Sequence, residues 1–399
     1  MHSNKTEYVS NDILNDAIVK TFSPFHRLQT IFGVCRVDIR NKFVTPPKAT
    51  QKIFTCVLLV IVPFLIRFMF IAFEKKYKNN FTMLNTMQYM TFLQWIMCLC
   101  TVSNIRFINN EENVNFFLKM HQIDRLMKID TNKFIMSTVY KRNRNTVLIL
   151  LIAYLVLCTM IILDDVLFFM TSFGIMYVQM THMIEVLYFS CLMYYFTLRL
   201  KFVNSIILNH IKPEFVAERF PSSLNMQHMM VLRKLAADTH DFAYCDLDVY
   251  LRELLYGFYK FQELYQFQVL IAFLKMFVNS AVYLHFIIIA LKDNTLRLID
   301  TVMTIILYIT DCLLIALTCI RSESFYREAK LTKHLSISTL SIYDDGPLRY
   351  KTKRLLKILE ENPPVFSVYH MWNLKADTMV KLTGVLTTVF FTLLQFHYL

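Results

Sequence analysis

Seven long apolar runs dominate this 399-residue chain, at approximately 53–73, 83–103, 147–168, 175–198, 266–291, 301–320 and 379–399. Each is close to the roughly 20 residues that carry a helix across a hydrocarbon core about 30 Å thick. Hydrocarbon offers the backbone no water, so such runs must satisfy their own N–H and C=O groups as helices. The expected fold is therefore all-α, with seven transmembrane helices, here TM1 to TM7.

Charge gives these helices a direction. Lys and Arg number 8 before TM1, 8 between TM2 and TM3, 8 between TM4 and TM5, and 11 between TM6 and TM7 when that connection is taken to Lys381. The alternate connections hold 3, none and 2, so one side carries 35 and the other five. Cytoplasmic loops carry the excess, which predicts a cytoplasmic N-terminus and an extracellular C-terminus. The net charge of +12 is thus a topology signal and not a nucleic-acid footprint. The polar N-terminal stretch has no short apolar core with a small-residue cleavage site, so no signal peptide is expected. None of the nine cysteines falls in a predicted outside loop, and none has metal-ligand spacing.

The long connections are all predicted to be cytoplasmic and the outside loops are short. A ligand site must then lie between helices in the outer half of the bundle. The expected organisation is a cytoplasmic segment 1–52, a six-helix unit 53–320, a cytoplasmic connection with an anchor helix 321–378, and a last membrane helix 379–399. Apolar residues between Met226 and Lys260 recur at helical spacing and run into TM5, predicting helical extensions of TM4 and TM5 that pack together. Lys351 to Glu361 reads as a short amphipathic helix, bounded by an Asp-Gly-Pro turn and by Pro363-Pro364. It could lie on the inner leaflet, bind a partner, or pack on the TM4–TM5 helices, which is the preferred reading. The sequons at Asn4 and Asn80 are expected to be silent, one by side and the other by closeness to TM2.

No phosphate loop, nucleophile elbow or metal motif is present, so no enzyme activity and no cofactor is expected. His182 and Glu185 have an i, i+3 spacing, but no second helix repeats it, so no metal is expected. Polar residues inside spans are the better leads, because lipid makes them expensive. Lys275 in TM5 is predicted to pair with Glu185 in TM4 or Asp311 in TM6, either as a structural tie or as part of a ligand site. Arg67 is near enough to the end of TM1 to snorkel, and Asp164 and Asp165 to be solvated. Gln88, Tyr89, Gln179, His182, Glu185, Tyr283, His285, Tyr308 and Asp311 offer the polar groups and aromatic walls of a small-molecule pocket. An interfacial aromatic belt would supply several of the same tyrosines.

TM7 carries a narrower signal. Gly384, Thr388, Phe391, Thr392 and Gln395 recur at helical spacing as a small and polar stripe, widened by Thr383 and Thr387. Small-residue helix packing accounts for such a stripe, and so does a water-facing pore wall shared among several subunits. Thr388, followed after six residues by Gln395-Phe396, resembles the closing signature of insect gustatory receptors: a Thr-Tyr pair, five mostly apolar residues and Gln-Phe. Val389 stands in the Tyr position. The stretches PFHRLQTIFG at 24–33 and SFYREAKLTKHL at 324–335 also look like that family.

The resemblance implies a taste receptor in the plasma membrane of gustatory neurons: a ligand-gated, weakly selective cation channel. It implies a homo- or heterotetramer with other gustatory subunits, set in membrane lipid. The seventh helix would line the pore, with Gln395 and Phe396 at the gate and Thr388, Thr392 and Gly384 along the wall. A small-molecule tastant would sit between TM2 and TM6. Phe390 stands where sugar-sensing members commonly carry an acidic residue, which favours bitter or plant compounds. An odorant receptor of the same superfamily is the nearest alternative. A G-protein-coupled receptor would need the opposite orientation.

Overall fold

The computed structural model describes residues 13–76, 81–164, 166–209, 247–293 and 298–398. Both sequons, Asp165, and the 226–246 part of the predicted TM4–TM5 helices lie outside the described residues, as does the side chain of Asp164.

Helix α1 (Asp16–Ile31) starts where the Asn15 side chain accepts the Ala17 N–H at 3.1 Å, a standard N-cap. Ile18, Thr21, Phe22, Phe25, Leu28 and Gln29 form its buried face. Pro24 cannot donate to the Lys20 carbonyl, and the Ser23 hydroxyl donates there instead at 3.0 Å. A hairpin follows, β1 (Asp38–Arg40) against β2 (Phe43–Thr45), with register Arg40 opposite Phe43. Its two turn residues, Asn41 and Lys42, both have positive φ, as a tight two-residue hairpin demands.

Among the described residues, seven helices are long and apolar enough to cross a membrane: α2 (Ala49–Lys76), α3 (Phe81–Ser103), α5 (Lys133–Asp164), α6 (Val166–Asn209), α7 (Leu247–Asp293), α8 (Leu298–Ile342) and α10 (Ala376–Tyr398). They correspond to TM1 to TM7. Several run well past the apolar stretches, because polar and charged residues continue the helical pattern on the heavily basic side. Residues 169–174, expected as a loop, are the first turns of α6. Helix α4 (Asn110–Leu126) lies between α3 and α5, joined to α3 by a π-helical turn, Asn104–Ile108.

Burial is uneven. It covers 83% of the apolar stretch of α6, against 11% for α5 and 6% for α10. The core lies where α6, α7 and α8 extend past their most apolar parts. Phe258 stacks on Phe325 with ring centres 4.4 Å apart, Phe189 stacks on Phe261 at 5.2 Å, and Phe366 meets Phe189 edge-on at 5.1 Å. Such pairs each add about 0.5–1.5 kcal/mol beyond their buried area. Gly257 lets α4 close on this core, since a Cβ there would meet Ile123 at 2.5 Å.

Charges in the core are paired. Arg199 of α6 donates twice to Asp124 of α4, at 2.9 and 2.8 Å, and both side chains are fully buried. The Tyr195 hydroxyl donates to the same carboxylate at 2.9 Å, and its ring lies under the guanidinium. Arg36, just before the hairpin, reaches Glu185 of α6 at 2.5 Å, donates to the side-chain oxygen of Asn113 at 3.2 Å, and stacks on Tyr265.

Helix α9 (Pro347–Glu361) begins after Gly346, whose φ of 109° suits glycine. Its buried residues, Thr352, Leu355 and Leu359, pack on α7, which is TM5 as expected, and on α8, which is TM6 and stands where TM4 was expected. Ion pairs follow the same partners, Lys333 with Glu360 and Arg354 with Asp248. The apolar stripe of α9 is only two turns long, and the groove between α7 and α8 is where it fits. A small hairpin, β3 (Ser367–Val368) with β4 (Trp372–Asn373), leads into α10.

Removing Arg199 or Asp124 strands a buried charge, so Arg199→Ala or Asp124→Ala should each cost about 3–5 kcal/mol. Thermal unfolding of the detergent-solubilised protein measures this, and an unchanged melting point for both would refute the pairing as a stabilising contact. Burial also lowers the pKa of His26 and His121 below the ordinary value of 6.5, although Asp38 and Asp124 act in the other direction. The unfolded chain therefore binds protons that the folded one resists. Stability should hold above pH 6.5 and fall as the pH drops below it, read as a falling melting point.

Candidate functional site

Four membrane helices bring a chain of polar side chains into one buried cluster. Gln94 of α3 donates to Asn279 of α7 at 2.8 Å. Asn279 donates to one oxygen of Asp311 on α8 at 2.6 Å, and Gln179 of α6 donates to the other at 3.1 Å. The carbonyl of Gln179 accepts from Lys275 of α7 at 2.6 Å. Lys275 and Asp311 are both 2% exposed. The ammonium and the carboxylate are thus linked through one amide, which hydrogen-bonds each in the sense its charge requires. Tyr283 is buried within reach of Gln94 and Asp311.

The other sequence candidates go to different places. Glu185 does not pair with Lys275. It sits six residues, about 9 Å of helix, from Gln179, where Arg36 and Gln29 claim its two oxygens. His182 lies between the two clusters and lines small cavities on both sides. One has Gln94, Cys98 and Lys275 in its wall, and the other has Glu185 and Gln268. Each has about 20 Å³ of free space, room for roughly one water. His285 and Tyr308 are half-buried on α7 and α8. Tyr89 is 75% exposed and faces away from the cluster. Gln88 lines a separate groove between α2 and α3. Sequence reading missed Gln94 and Asn279, although both are amides inside apolar spans. It also missed Arg36, whose signal was a lone cation in the apolar run Val34 to Val37.

The seventh membrane helix is arranged differently. Met379, Leu382 and Leu386 pack against the core, with α7 and α8 as neighbours. At about 100° per residue, Gly384, Thr388, Phe391 and Gln395 fall on the opposite face, with Thr392 at its edge, and all are exposed. A Cβ on Gly384 would meet nothing within 4 Å. The threonine hydroxyls donate to carbonyls one turn back: Thr383 to Met379, Thr387 to Thr383, Thr388 to Gly384 and Thr392 to Thr388, at 2.8–3.1 Å. The side chain of Phe396 lies outside the described residues.

A family model described as 7tm chemosensory receptor matches residues 22–399. The chain belongs to that family. No curated protein matches its sequence at a significant level. The receptor's fold is similar to two solved structures of the insect olfactory receptor OR5 from Machilis hrabei, one of them in complex with eugenol. Each comparison gives a TM-score of 0.62 at 13% identity, covering 96% of this receptor and 100% of the olfactory receptor. The receptor is therefore a multi-pass membrane protein with the insect chemoreceptor fold.

Lys275→Met and Asp311→Asn should each destabilise the receptor by about 3–5 kcal/mol, because each leaves one buried charge without its counterpart. The double variant should lose clearly less than the sum. Simple additivity in detergent melting experiments would show that the two charges do not act through Gln179 as a unit.

Proposed function

We propose that the receptor is a gustatory subunit of a ligand-gated, weakly selective cation channel that responds to small apolar or aromatic tastants. The observation that carries this reading is the exposed stripe of α10, which lies opposite the face packed on the core and stays uncovered among the described residues. Four copies around an axis would turn those stripes toward one another and enclose a pore. Gln395 and Phe396 would form the constriction, with Thr392, Thr388 and Gly384 along the wall. The stripe holds no acidic ring, so strong divalent selectivity is not expected. The charge asymmetry supports a cytoplasmic N-terminus and an outside C-terminus, which puts Gln395 toward the outer mouth.

The ligand reading rests on the cluster of Gln94, Gln179, Lys275, Asn279 and Asp311. In its closed form it leaves space for little more than water. A tastant must therefore bind best to a conformation in which these helices separate, and that difference in affinity is what would drive gating. The ending Gln395-Phe396 supports the gustatory branch, and Phe390 speaks against sugars. The likeness to an olfactory receptor solved with eugenol keeps a volatile phenol among the compounds to test.

Whole-cell recording in transfected cells, with sugars, plant alkaloids and eugenol applied in turn, tests the class of ligand. Gln395→Ala and Phe396→Ala should change basal current or relative ion permeability several-fold while leaving surface expression intact. If both variants conduct as wild type does, the gate lies elsewhere.

A further inference from the structure

A concave site that α2 and α3 share opens on their flank and is separate from the polar cluster. It is a groove of about 400 Å³ lined by Pro63, Ile66, Arg67 and Phe70 of α2 and by Asn85, Gln88, Phe92 and Trp95 of α3, among others. Arg67 is an exposed cation inside an apolar stretch that runs from Ala49 to Ile71. Lys275, Arg106 and Arg199, the neighbouring cations of the bundle, all have hydrogen-bond partners. Among the described residues Arg67 has none, and neither does the amide of Asn85. Gln88 is engaged differently, donating to Glu74 at 3.4 Å beyond the end of the apolar stretch.

Depth adds a second observation. Arg67 stands seven residues, about 10 Å of helix, short of Glu74, the first charge after the apolar run of α2, a distance that a snorkelling guanidinium largely spans. Asn85 stands in the second turn of α3, four residues after its start at Phe81. Both donors therefore lie at the membrane–water boundary, where lipid headgroups sit. Ile66, Phe70, Phe92 and Trp95 continue the groove inward as an apolar and aromatic trough. Two free donors at headgroup depth above such a trough have the polarity of one molecule: an anionic head on an acyl chain.

We propose that this groove is a phospholipid site, in which Arg67 and Asn85 hold the phosphate and the acyl chain lies along Phe70, Phe92 and Trp95. A guanidinium matches a phosphate in shape and charge, and the low dielectric at that depth strengthens the contact. The phosphate also supplies the counter-charge that Arg67 lacks among the described residues. The site is independent of the ligand and pore readings above.

Trp95 is a built-in reporter, because the chain has two tryptophans and Trp372→Phe leaves it alone. The full-length receptor, stripped of lipid, is held in dodecyl maltoside, whose head carries no phosphate. Phosphatidylcholine brominated in its acyl chains is then titrated in parallel with an equally brominated diacylglycerol. The phospholipid should quench Trp95 at micellar fractions about tenfold lower than the diacylglycerol, the difference a charge-assisted contact supplies. Arg67→Gln should erase that difference, and Asn85→Leu, on the other helix, should reduce it about threefold or more. Both variants should keep the wild-type gel-filtration profile. Equal quenching by the two lipids, or an unchanged ratio in Arg67→Gln, overturns the proposal. So does loss of the difference when inorganic phosphate is added at matched ionic strength, since that would make the groove a seat for dissolved anions.

Discussion

Helix α6 is enclosed through most of its length, and that enclosure organises the rest of the bundle. A helix surrounded by protein can carry polar side chains only if its neighbours supply every partner. Four polar residues of α6 accordingly specify where another element must lie. Gln179 requires Lys275 and Asp311, Glu185 requires Gln29 and Arg36, and Arg199 requires Asp124. Asn204 requires Glu328 and Thr332. Four levels along one helix thus fix the positions of α1, α4, α7 and α8. Apolar packing alone would tolerate a turn of slippage between neighbours, whereas these contacts do not.

Much of this was legible in the chain, for a physical reason. Bilayer thickness sets the length of an apolar helix and positive charge sets its direction, so seven spans could be read without any contact information. The ends of α6, α7 and α8 were less legible. Their extensions carry charges such as Arg199, Lys201 and Glu328, which hydropathy reads as loop although they are paired inside a core. The polar cluster was half visible. Lys275 and Asp311 stood out as intramembrane charges, but the amides that join them are common residues with no signature of their own. Arg36 shows the limit most clearly. It lies in a segment without regular membrane character, and only the folded chain brings it 149 positions along the sequence to Glu185.

The two polar features of the membrane region differ in kind. The Gln94–Asn279–Asp311–Gln179–Lys275 chain is closed on itself, so any ligand that enters must replace contacts already made. Its rigidity makes the surrounding helices respond as a unit. The stripe on α10 is open and exposed, and at Gly384 small enough for another surface to approach closely. One feature resists change and the other is available for assembly.

The back-bonded threonines of α10 have a mechanical consequence. Thr383, Thr387, Thr388 and Thr392 each spend the hydroxyl proton on a carbonyl of their own helix, so none needs an outside acceptor. Turning the helix about its axis, from a wet surface to a greasy one, therefore leaves no threonine donor stranded. The Gln395 amide has no such internal outlet. Among the polar side chains of the stripe, the preference for one surface over another is thereby concentrated at Gln395, while Met379, Leu382 and Leu386 hold the lower part of the helix on the core.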